Sequence, residues 1–158
     1  MRLDEMLARR LVAEVEAELA SLLSLGQELS SAPTDSATFS LRARASILHD
    51  FYTGVERIFV RIAEELNGGV PRSVQWHRQI LHDMTLGLRD VRPAVITSQL
   101  AAELGLFLRF RHVFRNVYGF VLEADRMKPL EESLGGVLNR FLTEIKTFNA
   151  WMLGEKPG

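Results

Sequence analysis

The spacing of the apolar residues is the sequence feature that most constrains this fold. Along most of the chain, apolar residues recur every three or four positions, which is the period of an amphipathic helix. No window shows the strict alternation of apolar and polar residues that is typical of a half-buried strand. The sequence therefore predicts an all-α protein, an up-and-down bundle of four to five helices.

Turn-forming residues separate the predicted helices. A segment of small polar residues around Pro33 ends the first helix, and Gly68, Gly69 and Pro71 end the second. Ser73 is the expected N-cap of a third helix, which is interrupted at Pro93. The predicted helices cover residues 4–30, 36–66, 73–92, 97–118 and 126–153. We expect residues 1–153 to form one helical domain and residues 154–158 to form a short tail.

Several classes of protein are excluded by missing residues and motifs. The chain has no cysteine, so it has no disulfide framework, thiol nucleophile or Cys-ligated zinc. It lacks the P-loop, the Rossmann glycine fingerprint and the G-x-S-x-G nucleophile elbow. No two histidines stand three or four residues apart, so we predict no metal site and no cofactor. With no apolar run of membrane-spanning length and no signal-peptide pattern, we expect a cytoplasmic protein without a membrane partner.

The positive charge is concentrated in the middle of the chain. Residues 67–120 contain 7 basic and 3 acidic residues, although the whole chain has a net charge of −1. Within this region, residues 104–122 carry three arginines, one histidine and no acid. A helical wheel places Arg111, Arg115 and Tyr118 on one polar strip beside a predicted core face. That face is formed by Leu106, Phe107, Phe110, Val113, Phe114 and Val117. The strip predicts a phosphate-binding site; alternatively, its arginines pair with acids of neighbouring helices.

The same helix resembles the signature helix of a known family. Arg111-His112-x-x-Arg115-Asn116-x-Tyr118 is similar to the signature of the HEPN superfamily, specifically its HepT-like members: Arg, a polar residue, three further residues, His, one residue, Tyr. Supporting residues in the same style are Tyr52, Glu56, Trp76, His77, Arg92 and Pro93, so the resemblance spans about residues 40–130. One position departs from the family pattern, because Asn116 stands where the family has His.

The resemblance implies a metal-independent endoribonuclease, the toxin of a toxin–antitoxin pair, which acts as a homodimer. Its cleft would lie between two copies of the signature helix, with Arg111, His112 and Asn116 as catalytic residues. Arg111 and Arg115 would bind the RNA phosphate, and Glu56 would support them. The implied partner is a minimal nucleotidyltransferase antitoxin that adds AMP to Tyr118.

Asn116 leaves alternatives open, because an amide cannot act as an acid or a base. His112 would have to replace the missing histidine in an active enzyme. Otherwise the chain would be a catalytically degenerate subunit that binds a nucleotide, RNA or the nucleotidyltransferase. A third interpretation is a helical dimerisation module. Nothing resembles a module that reads DNA or RNA bases, so the strip would contact backbone phosphates.

Overall fold

The computed structural model describes residues 4–116 and 122–155, which form an all-α bundle. Five helices follow one another, and the described residues contain no strand, only an isolated bridge between Leu88 and Arg92. This confirms the predicted all-α class. No helix in these two ranges is long and apolar enough to span a membrane. The helices are α1 (Glu5–Ser31), α2 (Thr38–Leu66), α3 (Trp76–Asp83), α4 (Ser98–Asn116) and α5 (Ala124–Met152).

Short-range hydrogen bonds fix the helix ends near the predicted positions. The carboxylate of Asp4 accepts hydrogen bonds from the backbone of Met6 and Leu7 and so caps α1. Ahead of α2, Asp35 accepts from the Ala37 amide and from the Ser40 hydroxyl, and these bonds lower the pKa of Asp35. After α2, Gly68 and Gly69 adopt φ values of 80° and 133°, which side chains with a Cβ rarely adopt.

The predicted third helix is wrong in both its start and its length. Its N-cap is Gln75 rather than Ser73, and it ends at Asp83 instead of continuing towards Pro93. Residues 84–97 form a series of turns. The apolar residues at positions 80, 84 and 88 have helical spacing, but in the structure this spacing extends beyond the helix.

Arg92 holds those turns together. Its side chain is only 3% exposed, and it donates to the Asn67 side chain and to the backbone oxygens of Asp83, Leu86 and Pro93 over 2.8–3.1 Å. Burial lowers the pKa of Arg92, an effect that nearby Asp83 opposes. An arginine that satisfies this many carbonyl groups substitutes for the missing helical hydrogen bonds.

The core is centred on α2, which packs against each of the other four helices. Its buried residues extend around most of its circumference, including Phe51 and Phe59. The Phe51 ring packs edge-on against Phe107 of α4, and Phe59 packs in the same way against Phe141 of α5. A polar group that α2 presents towards α3 and α4 is therefore surrounded by protein on several sides.

One close contact between α1 and α2 requires glycine. A Cβ at Gly54 would lie 2.5 Å from Cδ2 and 3.3 Å from Cγ of the buried Leu22. We expect Gly54→Ala to lower the free energy of unfolding by about 1–2 kcal/mol, because overpacking outweighs the gain in helix propensity. Gly135→Ala is the matched control, since nothing lies within 4 Å of its Cβ position. It should stabilise by about 0.5–1 kcal/mol. Equal stability of the two variants in urea unfolding would contradict this packing.

Candidate functional site

A groove with a volume of about 1310 Å³ lies between α3 and α4. Four arginines and three histidines line it, and Glu56 is the single acid among the described lining residues. The cationic and titratable lining residues are His77, Arg78, His82, Arg109, Arg111, His112 and Arg115. The groove is therefore a strongly basic surface feature of a chain whose net charge is close to zero.

Arg111 is buried in the wall of this groove and paired with Glu56. Its side chain is 3% exposed, and one guanidinium nitrogen lies 3.1 Å from each carboxylate oxygen of Glu56. Another nitrogen lies 3.4 Å from Oγ1 of Thr53, and the guanidinium carbon lies 5.0 Å from the centre of the Tyr52 ring. The ion pair, the hydrogen bond and the cation–π contact hold Arg111 in one position.

His77 completes a cluster that joins three helices. Its Nδ1 lies 2.8 Å from Oε2 of Glu56 and 3.1 Å from the guanidinium of Arg111. The imidazole also lies against the Trp76 ring, with ring centres 3.7 Å apart and the two planes inclined by 31°. Its side chain is 33% exposed, whereas that of Glu56 is 9% exposed. Glu56 of α2, His77 of α3 and Arg111 of α4 thus form one network, and His77 is its most accessible member.

Tyr52 lies beneath the network and stays neutral. Burial, together with the negative charge of Glu56, raises the pKa of Tyr52 well above its ordinary value, and Arg111 opposes the shift. Its buried hydroxyl has no hydrogen-bond partner among the described residues. Tyr52 therefore contributes an aromatic face to Arg111 rather than an ionisable group.

The other three arginines of the groove remain available to an anion. Arg78 of α3 and Arg109 and Arg115 of α4 are exposed, and none forms an ion pair within the described part of the chain. Because Arg111 already neutralises Glu56, the positive charge of these three side chains is not balanced inside the groove. The arrangement can accept phosphate groups of a ligand.

The sequence-predicted site residues are only partly brought together. Arg115 and His112 line the groove with Arg111, but Arg111 pairs with an acid of a neighbouring helix, which was the alternative interpretation of its charge. Glu56, predicted as a supporting residue, lies in direct contact with Arg111. Asn116 is the last residue of α4, and Tyr118 lies outside the described residues.

The predicted core face of α4 is confirmed only in part: Phe107 is buried and Phe110 and Phe114 pack against the core, whereas Val117 lies outside the described residues. Leu106 is 51% exposed, whereas Leu104, Leu108 and Arg111 are buried along with Phe107. The reason is that α4 packs against α2, α3 and α5, and the side covered by α2 and α3 includes the position of Arg111. The aromatic side chains at positions 110 and 114 are only partly buried at the margin of this contact.

Sequence reasoning missed Arg78 and Arg109 and did not assign a role to His77. A usable signal existed for α4, because Arg109, His112 and Arg115 are three residues apart and share a helix face. For α3 there was no such signal, because a helix of eight residues has too few apolar positions to indicate which of its faces is exposed. Nδ1 of His49 lies 3.0 Å from Oδ1 of the adjacent Asp50, and the described residues contain no group of three or more His, Asp or Glu side chains that could hold a metal ion.

The comparisons with known proteins identify the family. A family model described as HepT-like protein matches residues 43–152, which is well over half of the chain. No curated protein and no solved structure shows significant similarity to the chain. The matched range includes Glu56, His77 and Arg111 and extends from the first third of α2 to the end of α5. The chain therefore belongs to the HepT-like protein family.

Proposed function

We propose that the protein is a HepT-like endoribonuclease, the toxin of a toxin–antitoxin pair, which cleaves RNA without a metal ion. Membership of the HepT-like family supports a role within the HEPN superfamily of toxins and ribonucleases. The observation that carries the proposal is the charge of the groove between α3 and α4. Among the described lining residues, Glu56 is the single acid and is neutralised by Arg111, so the charges of three exposed arginines remain unbalanced. Such a groove favours a polyanion with phosphates at several positions.

The charges of the groove suit the cleavage of a phosphodiester. Attack of a ribose 2′-hydroxyl on the adjacent phosphorus increases negative charge on the phosphate oxygens, and guanidinium groups stabilise this charge. Arg78, Arg109 and Arg115 approach the groove from two opposing helices. Because they would contact phosphates, we expect little dependence on base sequence.

The homodimer and the antitoxin partner belong to the same proposal. Leu106 is half exposed on α4, and Phe110 and Val113 nearby are only partly buried, so the outer face of this helix offers apolar area to a second copy. A dimer through this face would place two basic grooves near one another and form one cleft. The proposed partner is a minimal nucleotidyltransferase that adds AMP to Tyr118.

The salt dependence of RNA binding tests the groove directly. We expect purified protein to bind and cleave single-stranded RNA in the presence of EDTA, with an affinity that falls steeply with salt. In the double variant Arg109→Ala/Arg115→Ala, the slope of log K against log salt should become shallower by roughly 0.7 per arginine removed. The matched control is Arg42→Ala/Arg57→Ala, which removes two exposed arginines outside the groove. An equal change in both double variants would contradict the assignment of the groove.

A second candidate function is that of a catalytically degenerate binding subunit. It is favoured by the identity of Asn116, which has no titratable group, and by the buried ion pair that occupies Arg111. In this case the wild-type protein would bind RNA or a nucleotide with the same salt dependence but would not cleave RNA. Asn116→His should then create cleavage. Absence of RNA and nucleotide binding at any salt concentration would favour a dimerisation module instead.

A further inference from the structure

We propose that His77 on α3 is the general base of the groove, in place of a residue on the signature helix. This inference rests on the proposed ribonuclease function. It starts from an arrangement that the sequence did not indicate. The imidazole of His77 is partly exposed in the wall of the basic groove, and its Nδ1 contacts the buried carboxylate of Glu56.

The hydrogen bond to Glu56 determines the form of the His77 ring. Nδ1 has two neighbours: Oε2 of Glu56 at 2.8 Å, which as an ionised carboxylate only accepts, and the guanidinium of Arg111 at 3.1 Å, which only donates. Because the contact with Glu56 is the shorter one and Arg111 already donates to the same carboxylate, we assign the proton to Nδ1. In the neutral ring, Nε2 is then the unprotonated nitrogen and carries the lone pair. A carboxylate that fixes the tautomer and orientation of an imidazole is a recurrent feature of histidines that act as bases.

The groups around His77 suit a proton acceptor beside a phosphate. Glu56 of α2 stabilises an imidazolium once the ring has taken a proton. The guanidinium of Arg111 of α4, 3.1 Å from Nδ1, opposes this positive charge, but Glu56 neutralises Arg111 as well. The Trp76 ring lies against the imidazole with the two ring planes inclined by 31°. The remaining charged and titratable groups in the groove wall are Arg78 and His82 on α3 and Arg109, His112 and Arg115 on α4.

In the proposed step, Nε2 of His77 takes the proton of a ribose 2′-hydroxyl. The 2′-oxygen forms a bond to the adjacent phosphorus while the bond from phosphorus to the 5′-oxygen breaks. The departing 5′-oxygen takes a proton from water, and His77 later releases its proton to solvent. The products are a 2′,3′-cyclic phosphate and a 5′-hydroxyl, and no oxidant, reductant or metal is needed.

Two substitutions of His77 separate chemistry from structure. The side-chain amide of His77→Asn can still donate to Glu56, but it offers no titratable nitrogen in place of Nε2. We expect it to bind single-stranded RNA with nearly wild-type affinity and to cleave it about 10²–10⁴-fold more slowly. His77→Ala should be equally slow, and added imidazole should restore part of its cleavage rate. His49→Gln is the control: it should cleave normally and should not respond to imidazole.

A measurement on the wild-type protein keeps the inference testable if the variants do not fold. Diethyl pyrocarbonate should modify His77 at Nε2 with a parallel loss of cleavage, and a 2′-deoxy oligonucleotide should protect this residue. Normal cleavage by His77→Asn, absence of imidazole rescue in a folded His77→Ala, or unprotected His77 would each overturn the inference and leave the ribonuclease function standing. A wild-type protein that cleaves no RNA would instead overturn the ribonuclease function, and the inference would fail with it.

Discussion

Glu56→Ala is expected to lower the free energy of unfolding by about 3–5 kcal/mol, the cost of leaving a buried charge without its partner. The guanidinium of Arg111 is 3% exposed, and Glu56 is the acid that pairs with it. Without the carboxylate, the cation would either stay desolvated or pull water into the contact between α2 and α4. Urea unfolding followed by circular dichroism measures the change. Glu65→Ala on the exposed side of the same helix should change stability by less than about 0.5 kcal/mol.

The double variant Glu56→Ala/Arg111→Met distinguishes an unpaired charge from lost packing. Replacing both members of a buried pair by apolar groups often costs little or even stabilises a protein. We therefore expect the double variant to be more stable than Glu56→Ala alone. If the stability lost in the double variant instead equals the sum of the losses in Glu56→Ala and in Arg111→Met, the two side chains do not act as a pair. That result would contradict the ion pair between Glu56 and Arg111.

Arg92→Ala is the second substitution with a large expected effect. It would remove the charged donor of four partly buried hydrogen bonds, to three backbone oxygens and the Asn67 side chain, and a hydrogen bond to a charged group contributes about 1.5–3 kcal/mol. We expect a loss of at least about 3 kcal/mol in the free energy of unfolding. Arg89→Ala, in the same segment but exposed, is the matched control and should be nearly neutral.

Hydrogen exchange should show where the Arg92→Ala variant is weakened. The amides of Val95 and Ile96 donate to the Met84 oxygen and so close the turns between α3 and α4. We expect these two amides to exchange faster in the variant than in the wild-type protein. Amides in the middle of α2 should exchange faster only by the amount that the loss of global stability explains. Unchanged protection of the two amides would contradict the role assigned to Arg92.

The fold was largely predictable because the helical period is a local property. Pro33 and the glycines at 68 and 69 stand where the sequence and the structure both end a helix. The third helix was not predictable in its length, because Met84 and Leu88 maintain the helical spacing after the backbone has left the helix. What determines the backbone there is the side chain of Arg92, whose partners include Asn67, 25 residues away.

The candidate site was predictable in its location but not in its contacts. The sequence pattern shows that Arg111, His112 and Arg115 lie on neighbouring positions of one helix. It does not show how α4 is rotated about its own axis, and this rotation decides that Arg111 is buried while Leu106 is exposed. The distance along the chain is a second reason, since Arg111 and Glu56 are 55 residues apart and His77 lies between them.

The cluster of Glu56, His77 and Arg111 has a consequence for the design of mutagenesis experiments. Arg111 is the first arginine of the motif on which the sequence resemblance rests, yet in this chain it is also part of the contact between α2 and α4. A loss of activity in an Arg111→Ala protein could therefore arise from a destabilised fold or from a lost functional group, and the activity measurement alone would not separate the two causes. Arg78, Arg109 and Arg115 are exposed, so substitutions there change the charge of the groove and leave the protein interior intact. A change in RNA binding or cleavage by these variants can therefore be assigned to the groove.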